Sequence, residues 1–167
     1  GAGFITGAIS SSVALSINEV AGNQEVVYTP GAADVSITGS NCNEYVFRFE
    51  TNTAQIAEVM TQWMVDNLGD KIHYQIADYA YGDSVREEVD RRMQNLSDSY
   101  EEVGFTSSAQ GATNFESVLT QIEDNVDAAD ALVVGATGGH LIRFLAQAAG
   151  RDLGNQIPIV TTTGSFS

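Results

Sequence analysis

Basic residues are scarce in this chain of 167 residues: Lys71 is the only lysine, and it and six arginines stand against 22 acidic residues, for a formal net charge of −15. Binding to nucleic acid needs clustered Lys and Arg to neutralise phosphates, so we expect no nucleic-acid partner. The same charge argues against docking on anionic membranes. The acid excess indicates either an ordinary solubilising surface or adaptation to high salt, and the near absence of lysine favours the second, a halophilic protein.

Cysteine and long apolar runs are also lacking. A single Cys42 excludes a disulfide framework within the chain and any site with several cysteine ligands. No stretch approaches the 18 apolar residues of a membrane-spanning helix. With 43% hydrophobic and 17% charged residues, the chain can nevertheless form a core. Predicted strands lie at both ends of the sequence, and we expect it to be a fragment of a larger protein.

Strand-like and helix-like segments alternate along the chain, as in βαβ units with a mostly parallel sheet. A wholly apolar run at 131–134 is typical of a strand covered on both faces. We predict an α/β fold with three layers, a doubly wound and mostly parallel sheet, and a boundary near residue 51. The predicted strands are 3–8, 25–29, 44–49, 72–77, 102–106, 131–134 and 157–160. The predicted helices are 10–21, 53–68, 83–96, 114–125 and 139–149.

Parallel sheets bind ligands at the carboxyl ends of their strands, where helices begin. Three serines at 10–12 stand at such a turn and either form a seat for an anion or merely cap the helix. The small residues at 31–33 either allow a ligand close to the backbone or simply make a turn. Tyr81 follows another strand and either projects into the mouth of the sheet or packs against a neighbouring loop.

Motifs of catalysis and of cofactor binding are missing. The glycine-rich turn at 135–140 has neither the lysine and hydroxyl of a Walker loop nor the dinucleotide pattern. The serine-hydrolase elbow is absent, and His73 and His140 are isolated histidines without a ligand pattern for metal. We therefore expect no cofactor, no metal and no enzymatic activity. The alternative, an enzyme on a doubly wound sheet, would need a base and a nucleophile that this sequence does not pair.

An ordered set of short motifs resembles the type I periplasmic-binding-protein family, and within it the branched-chain amino-acid receptors of ABC transporters. These motifs are the stretches 9–12, 28–32, 45–48, 78–82, 113–119, 145–148 and 158–164. The resemblance implies two Rossmann-like lobes that close on a solute like a Venus flytrap. It also implies an extracellular or periplasmic protein, anchored at the outer face of the membrane in its full length.

The resemblance also implies individual site residues. Ser11 and Ser12 match carboxylate-binding serines, and Ala32 matches a backbone contact. Ala33 stands where many members have a hydroxyl, and Tyr81 matches a cleft tyrosine of lobe two. Two further site positions are implied. Thr137 or Gly138 stands where relatives often have an aromatic residue. Thr163 stands near the position of an acid that holds an amino group in relatives. Because that acid and the hydroxyl are missing, the solute is predicted to be an amino acid, another carboxylate or an amide.

The implied domains are a partial lobe one with its crossover strand at 1–50, lobe two at 51–161, and a return hinge at 162–167. The expected partners are the small solute and a membrane permease. A ligand-sensing ectodomain of a signalling receptor is the alternative. Cys42 is predicted to be a small buried residue or to pair with a cysteine outside this chain.

Overall fold

Helices and strands alternate in the computed structural model, which describes residues 1 and 3–162. The strands among these residues are β1 Phe4–Gly7, β2 Val27–Pro30, β3 Lys71–Asp78, β4 Glu101–Ala109, β5 Ala131–Gly135 and β6 Ile159–Thr161. The α-helices are α1 Ser11–Asn23, α2 Thr53–Asn67, α3 Ala80–Leu96, α4 Glu116–Glu123 and α5 Gly138–Gly150. Short 3-10 helices follow at Val35–Thr38, Val126–Ala128 and Leu153–Asn155.

The strands form two separate sheets. In the first sheet β1 pairs with β2, and in the second the strand order is β4-β3-β5-β6. All of these pairings are parallel. The predicted α/β class with parallel sheets and flanking helices is therefore confirmed.

The second sheet lies between two apolar layers. Side chains of β5 alternate between them, so that Ala131 and Val133 pack with α2 and α3, while Leu132 and Val134 pack with α4 and α5. All five residues of β5 are buried, as expected of a strand covered on both faces. This arrangement gives the second sheet three layers. On the first sheet, α1 packs against β2 and Ile37.

The predicted strand at 44–49 is wrong, because only Val46 forms a bridge, to Tyr28 of β2. Two backbone hydrogen bonds hold this segment, from the Tyr28 amide to Tyr45 O (2.8 Å) and from the Phe47 amide to Tyr28 O (3.0 Å). Beyond these two bonds, the Arg48 side chain instead of the backbone contacts the loop after β2, where it donates to Asp34 O at 2.5 Å. The ladder therefore ends after one bridge.

Helix α3 begins at Ala80, three residues before the predicted start at 83. The early start is possible because Gly82 packs directly on the end of β3. A Cβ at this position would lie 2.0 Å from the carbonyl oxygen of Ala77. The glycine that suggests a turn in the sequence is thus helical, and Tyr81 lies in the first turn of α3.

Cys42 is exposed, so the prediction of a buried residue is wrong. Its loop is fixed by asparagine side chains instead of apolar packing. Asn18 donates from Nδ2 to Asn41 O at 2.8 Å, and Asn43 donates from Nδ2 to Asn18 Oδ1 at 2.7 Å. Polar anchoring of this kind leaves the intervening cysteine outside the core.

Among the described residues, no helix combines the length and apolar character required to cross a membrane.

Candidate functional site

A cleft of about 700 Å³ lies at the carboxyl ends of strands from both sheets. Parallel α/β sheets bind ligands at this end of their strands. The lining residues follow β1 and β2 of the first sheet, β3 and β5 of the second, and the connection between the sheets, and α2 adds one more. They are Ile9, Gly31, Ala33, Glu50, Thr51, Ile56, Tyr79, Tyr81, Thr137 and Gly138. The cleft is therefore built from both sheets.

Two tyrosines form an aromatic wall of the cleft. The rings of Tyr79 and Tyr81 lie 6.0 Å apart between centroids, with an angle of 35° between their planes. The Tyr81 hydroxyl donates to Thr162 Oγ1 at 2.7 Å, and the Tyr79 hydroxyl lies 3.4 Å from Thr137 Oγ1. Burial raises the pKa of both phenols, so both are neutral at physiological pH.

The loop after β2 is attached to helices of the second sheet beside the cleft. The Thr53 amide donates to Ala33 O at 2.9 Å. The Val35 amide donates to Ser84 Oγ at 3.3 Å, and that hydroxyl lies 2.6 Å from Thr53 Oγ1. These bonds connect the first sheet to α2 and α3.

Carboxylates dominate the electrostatics of the cleft and its rim. Of the described lining residues, Glu50 is the one with a charged side chain. Nearby, burial and the carboxylates of Asp78 and Asp34 raise the pKa of Asp83, in that order of effect. Asp34 is itself buried and accepts a hydrogen bond from the Ser36 amide at 2.8 Å. Arg48 donates to Ala32 O and Asp34 O beside these carboxylates, so the rim of the cleft carries charges of both signs.

The two serines predicted to hold a carboxylate have different surroundings. Ser11 is fully buried, and its Oγ accepts a hydrogen bond from the Asp34 amide at 3.3 Å. Ser12 is exposed and lines a separate depression on α1 with Ile5 and Val13. Ser10 occupies the N-cap position without a side-chain capping bond, so simple capping does not account for the serines either.

The other predicted residues lie closer to the cleft. Ala33, Thr137 and Gly138 line it, while Ala32 is buried directly beside Ala33. Tyr81 also lines it, but only 5% of its surface is exposed. The tyrosine therefore lies in the cleft wall with most of its side chain packed against its neighbours, which is closer to the second of the two alternatives for Tyr81. Thr163 lies outside the described residues.

Sequence reasoning missed Ile9, Glu50, Thr51, Ile56 and Tyr79 as lining residues. Three of them carried a usable signal: Ile9 and Glu50 come directly after the predicted strands 3–8 and 44–49, and Tyr79 comes two residues after the predicted strand 72–77. Ile9 is also 84% exposed despite its apolar side chain. Ile56 belongs to the apolar face of α2, and its proximity to the cleft depends on how that helix packs.

The described part of the chain contains no group of three or more His, Cys, Asp or Glu residues that could hold a metal ion.

Comparison with known proteins gives a consistent family. The sequence pattern of the family described as periplasmic binding proteins matches residues 1–166. A comparison with curated proteins yields no match. Among solved structures, a periplasmic binding protein from Burkholderia mallei is 23% identical, with a TM-score of 0.86 over 94% of this chain and 41% of its own.

Two further solved structures have the same fold. The leucine-, isoleucine-, valine-, threonine- and alanine-binding protein of Brucella ovis, in its closed conformation, is 26% identical, with a TM-score of 0.80 over 96% of this chain and 43% of its own. An ABC-transporter solute-binding protein of R. palustris in complex with benzoate is 22% identical, with a TM-score of 0.82 over 95% and 43%. The chain thus spans less than half the length of these structures. Because the family pattern covers nearly all of it, the chain belongs to the type I periplasmic binding protein family.

Proposed function

We propose that the protein is the solute-binding receptor of an ABC importer and that it captures a small solute between two lobes. The observation that carries this proposal is the cleft at the carboxyl ends of strands from two separate sheets. A volume of about 700 Å³ is in the range of small-molecule sites, which is roughly 300–1,000 Å³. The chain belongs to the same family as solute-binding proteins of ABC transporters, and this membership supports the same function.

The two lobes divide the chain at the connection between the sheets. Residues 1–50 form part of lobe one, and residues 51–161 form lobe two. The hinge includes 49–51, whereas the predicted return hinge at 162–167 lies outside the described residues except for residue 162. A hydrogen bond crosses this division beside the connection: the Val35 amide of the first part donates to Ser84 Oγ of the second. A bound solute stabilises the closed form by contacting both lobes at once.

The solute is a small amino acid, carboxylate or amide. The tyrosine pair and Ile9 provide apolar surface for its body. Thr137 precedes α5 without a side-chain capping bond, so the first amides of this helix are available to a carboxylate or carbonyl oxygen. A relative named for binding leucine, isoleucine, valine, threonine and alanine, and another in complex with benzoate, support this range of ligands. Glu50 is suited to an amino group.

The partner is a membrane permease that receives the solute from the closed form. The protein acts at the extracellular or periplasmic face of the membrane and is anchored there in its full length. An acidic surface with a net charge of −15 remains hydrated in a salt-rich medium, which suits a halophilic source.

A thermal-shift panel tests the proposal. The panel contains leucine, benzoate, 4-hydroxybenzoate and benzamide, and benzamide is the neutral match for benzoate. At a concentration of about 100 Kd, a ligand stabilises its protein by about 2.7 kcal/mol, which raises the Tm by roughly 5–11 °C for a domain of this size. We expect at least one member to produce such a shift.

A variant pair distinguishes the cleft from other surfaces. Tyr79→Ala removes part of the cleft wall and should abolish the shift, whereas Tyr45→Ala changes a tyrosine that is not among the lining residues and should preserve it. A shift that survives Tyr79→Ala would place the solute elsewhere, and the absence of any shift over a broad solute panel would contradict a receptor function.

A further inference from the structure

A row of polar side chains interrupts the apolar interior beside the edge strand β4. His73 and Gln75 belong to β3 and are each only 1% exposed. They lie on the face of the sheet where neighbouring β5 presents Leu132 and Val134 to α4 and α5. Buried polar groups are costly unless they are hydrogen-bonded, and the side chains of this row bond to one another.

The row is continuous from β3 to α5. His73 Nε2 lies 3.4 Å from Thr106 Oγ1, and Thr106 Oγ1 donates to Gln75 Oε1 at 2.6 Å. Gln75 Nε2 then donates to Ser108 Oγ at 2.9 Å, and Ser108 Oγ lies 3.1 Å from His140 Nε2. The row therefore ends on the third residue of α5.

A hydrogen bond from the backbone of Gly111 determines which nitrogen of His140 carries the proton. The Gly111 amide donates to His140 Nδ1 at 3.3 Å. A backbone amide can only donate, so Nδ1 must carry a lone pair. In a neutral imidazole the proton then lies on Nε2 and is donated to Ser108 Oγ. Burial first, and then the charge of Arg143, lower the pKa of His140.

Three side chains of α5 hold the loop between β4 and α4. Besides His140, Arg143 donates from Nε to Ala112 O at 3.1 Å. Gln147 donates to Thr113 O and accepts from the Phe115 amide, both at 2.9 Å. Positions 140, 143 and 147 lie on one face of a helix. Of the three, only histidine titrates near neutral pH.

The described groups around His140 would not neutralise a positive charge on its ring. On its own helix it faces the like charge of Arg143. Strand β4 offers the Ser108 hydroxyl, and the loop offers the Gly111 amide. The Phe115 ring packs edge-on at 5.1 Å between centroids. Among these described neighbours, none is a carboxylate.

We propose that His140 is an acid-sensitive latch. In its neutral form it fastens the loop 109–114 to the first turn of α5, which forms the cleft wall at Thr137 and Gly138. A proton on Nδ1 replaces the lone pair that accepts the Gly111 amide, so the bond breaks and two donors face each other. The loop then stays attached to α5 through Arg143 and Gln147, and the first turn of α5 at the cleft wall loses its contact with Gly111.

The sign of the pH effect follows from linkage. Unfolded histidine titrates near pH 6.5, whereas the folded group binds its proton less readily, so the unfolded state holds more protons in mild acid. The stabilisation is complete above about pH 6.5 and is lost as the pH falls through the lowered folded pKa. Burial also lowers the pKa of His73, with Glu102 acting in the opposite direction. The contribution of His73 to the pH dependence of stability therefore has the same sign as that of His140. A variant at His73 is needed to separate the two contributions.

The relevance of the latch for solute capture rests on the proposed function, but the latch itself is tested without solute. Imidazole nitrogen NMR on the protein at pH 7.5 should show His140 as the Nε2–H tautomer. Hydrogen exchange at the Gly111 amide, corrected for intrinsic rates, should lose at least tenfold protection between pH 7.5 and 5.

Two variants localise the effect. His140→Gln replaces the imidazole by a carboxamide that can accept a hydrogen bond but does not titrate, so the protection of the Gly111 amide in this variant should not depend on pH. His73→Gln removes the other buried histidine and should retain the wild-type dependence. An Nδ1–H tautomer of His140, or Gly111 protection in the wild type that is unchanged between pH 7.5 and 5, overturns the proposal even if His140→Gln fails to fold.

A solute arm separates this proposal from the receptor function. If benzoate binds, its affinity should fall in acid for the wild type and remain constant for His140→Gln. A pH-independent affinity together with the expected NMR result would show that the latch does not act on the cleft, which also overturns the proposal. Failure of every solute to bind would count against the receptor function and leave the NMR test decisive for the latch.

Discussion

The Ser84 hydroxyl offers a sharp test of how the two sheets are joined. It accepts the Val35 amide at 3.3 Å and lies 2.6 Å from Thr53 Oγ1. Ser84 is 4% exposed and Thr53 is 1% exposed, so water cannot readily replace the lost partner. Ser84→Ala removes both contacts without adding bulk.

The expected loss follows from the groups left behind. A buried polar group without a partner costs about 1–3 kcal/mol, and here an amide and a hydroxyl each lose one contact. We therefore expect the free energy of unfolding to fall by about 2 kcal/mol. With a urea m-value of about 2 kcal/mol/M, the midpoint should fall by about 1 M.

Urea unfolding followed by circular dichroism measures this change. Ser107→Ala is the matched control, because Ser107 is exposed on β4 and should change stability by less than about 0.5 kcal/mol. Equal midpoints for the two variants would refute the reasoning that Ser84 connects the sheets.

Three other perturbations give distinct outcomes. Gly82→Ala places a Cβ 2.0 Å from Ala77 O and should lower the free energy of unfolding by about 1–3 kcal/mol or more. Gly154→Ala, with open space around it, should leave the urea midpoint nearly unchanged. Similar midpoints for the two variants would contradict the close packing of α3. Ser11→Ala removes the acceptor of the Asp34 amide and should lower the free energy of unfolding by about 1–3 kcal/mol. Ser12→Ala, at an exposed position, should leave the free energy of unfolding unchanged. Equal losses in the two variants would contradict the difference in burial between the two serines. With a net charge of −15, the Tm should rise from dilute buffer to molar KCl in a calorimetric scan, and a flat curve would remove the salt-adaptation hypothesis.

The fold was predictable where local patterns decide it. The apolar spacing predicts α2 within one residue, because it is a local pattern of neighbouring positions. In the structure a capping box between Asn52 and Gln55 holds the start of this helix. The start of α3 was not predictable, since it depends on the contact between Gly82 and Ala77 across the sheet. The missing strand at 44–49 likewise reflects how Arg48 binds a distant loop.

The cleft was predictable only at the level of the backbone. Strand ends in a parallel sheet meet at one edge, which is why Ala33 and Thr137 could be expected beside a ligand. Side-chain direction is a matter of helix phase and packing, so the sequence did not show that Tyr81 is buried or that Ser12 lies in another depression. The bonds between His73 and His140 also depend on the register of β3 and β4.

Hydrogen exchange with and without the solute that gives the largest thermal shift tests the two-lobed capture most directly. The account predicts slower exchange on both sides of the cleft at once, at Gly31–Ala33 of the first sheet and at Tyr79–Tyr81 and Thr137–Gly138 of the second. Slower exchange confined to one of the two sheets, or to the depression beside Ser12, would contradict it.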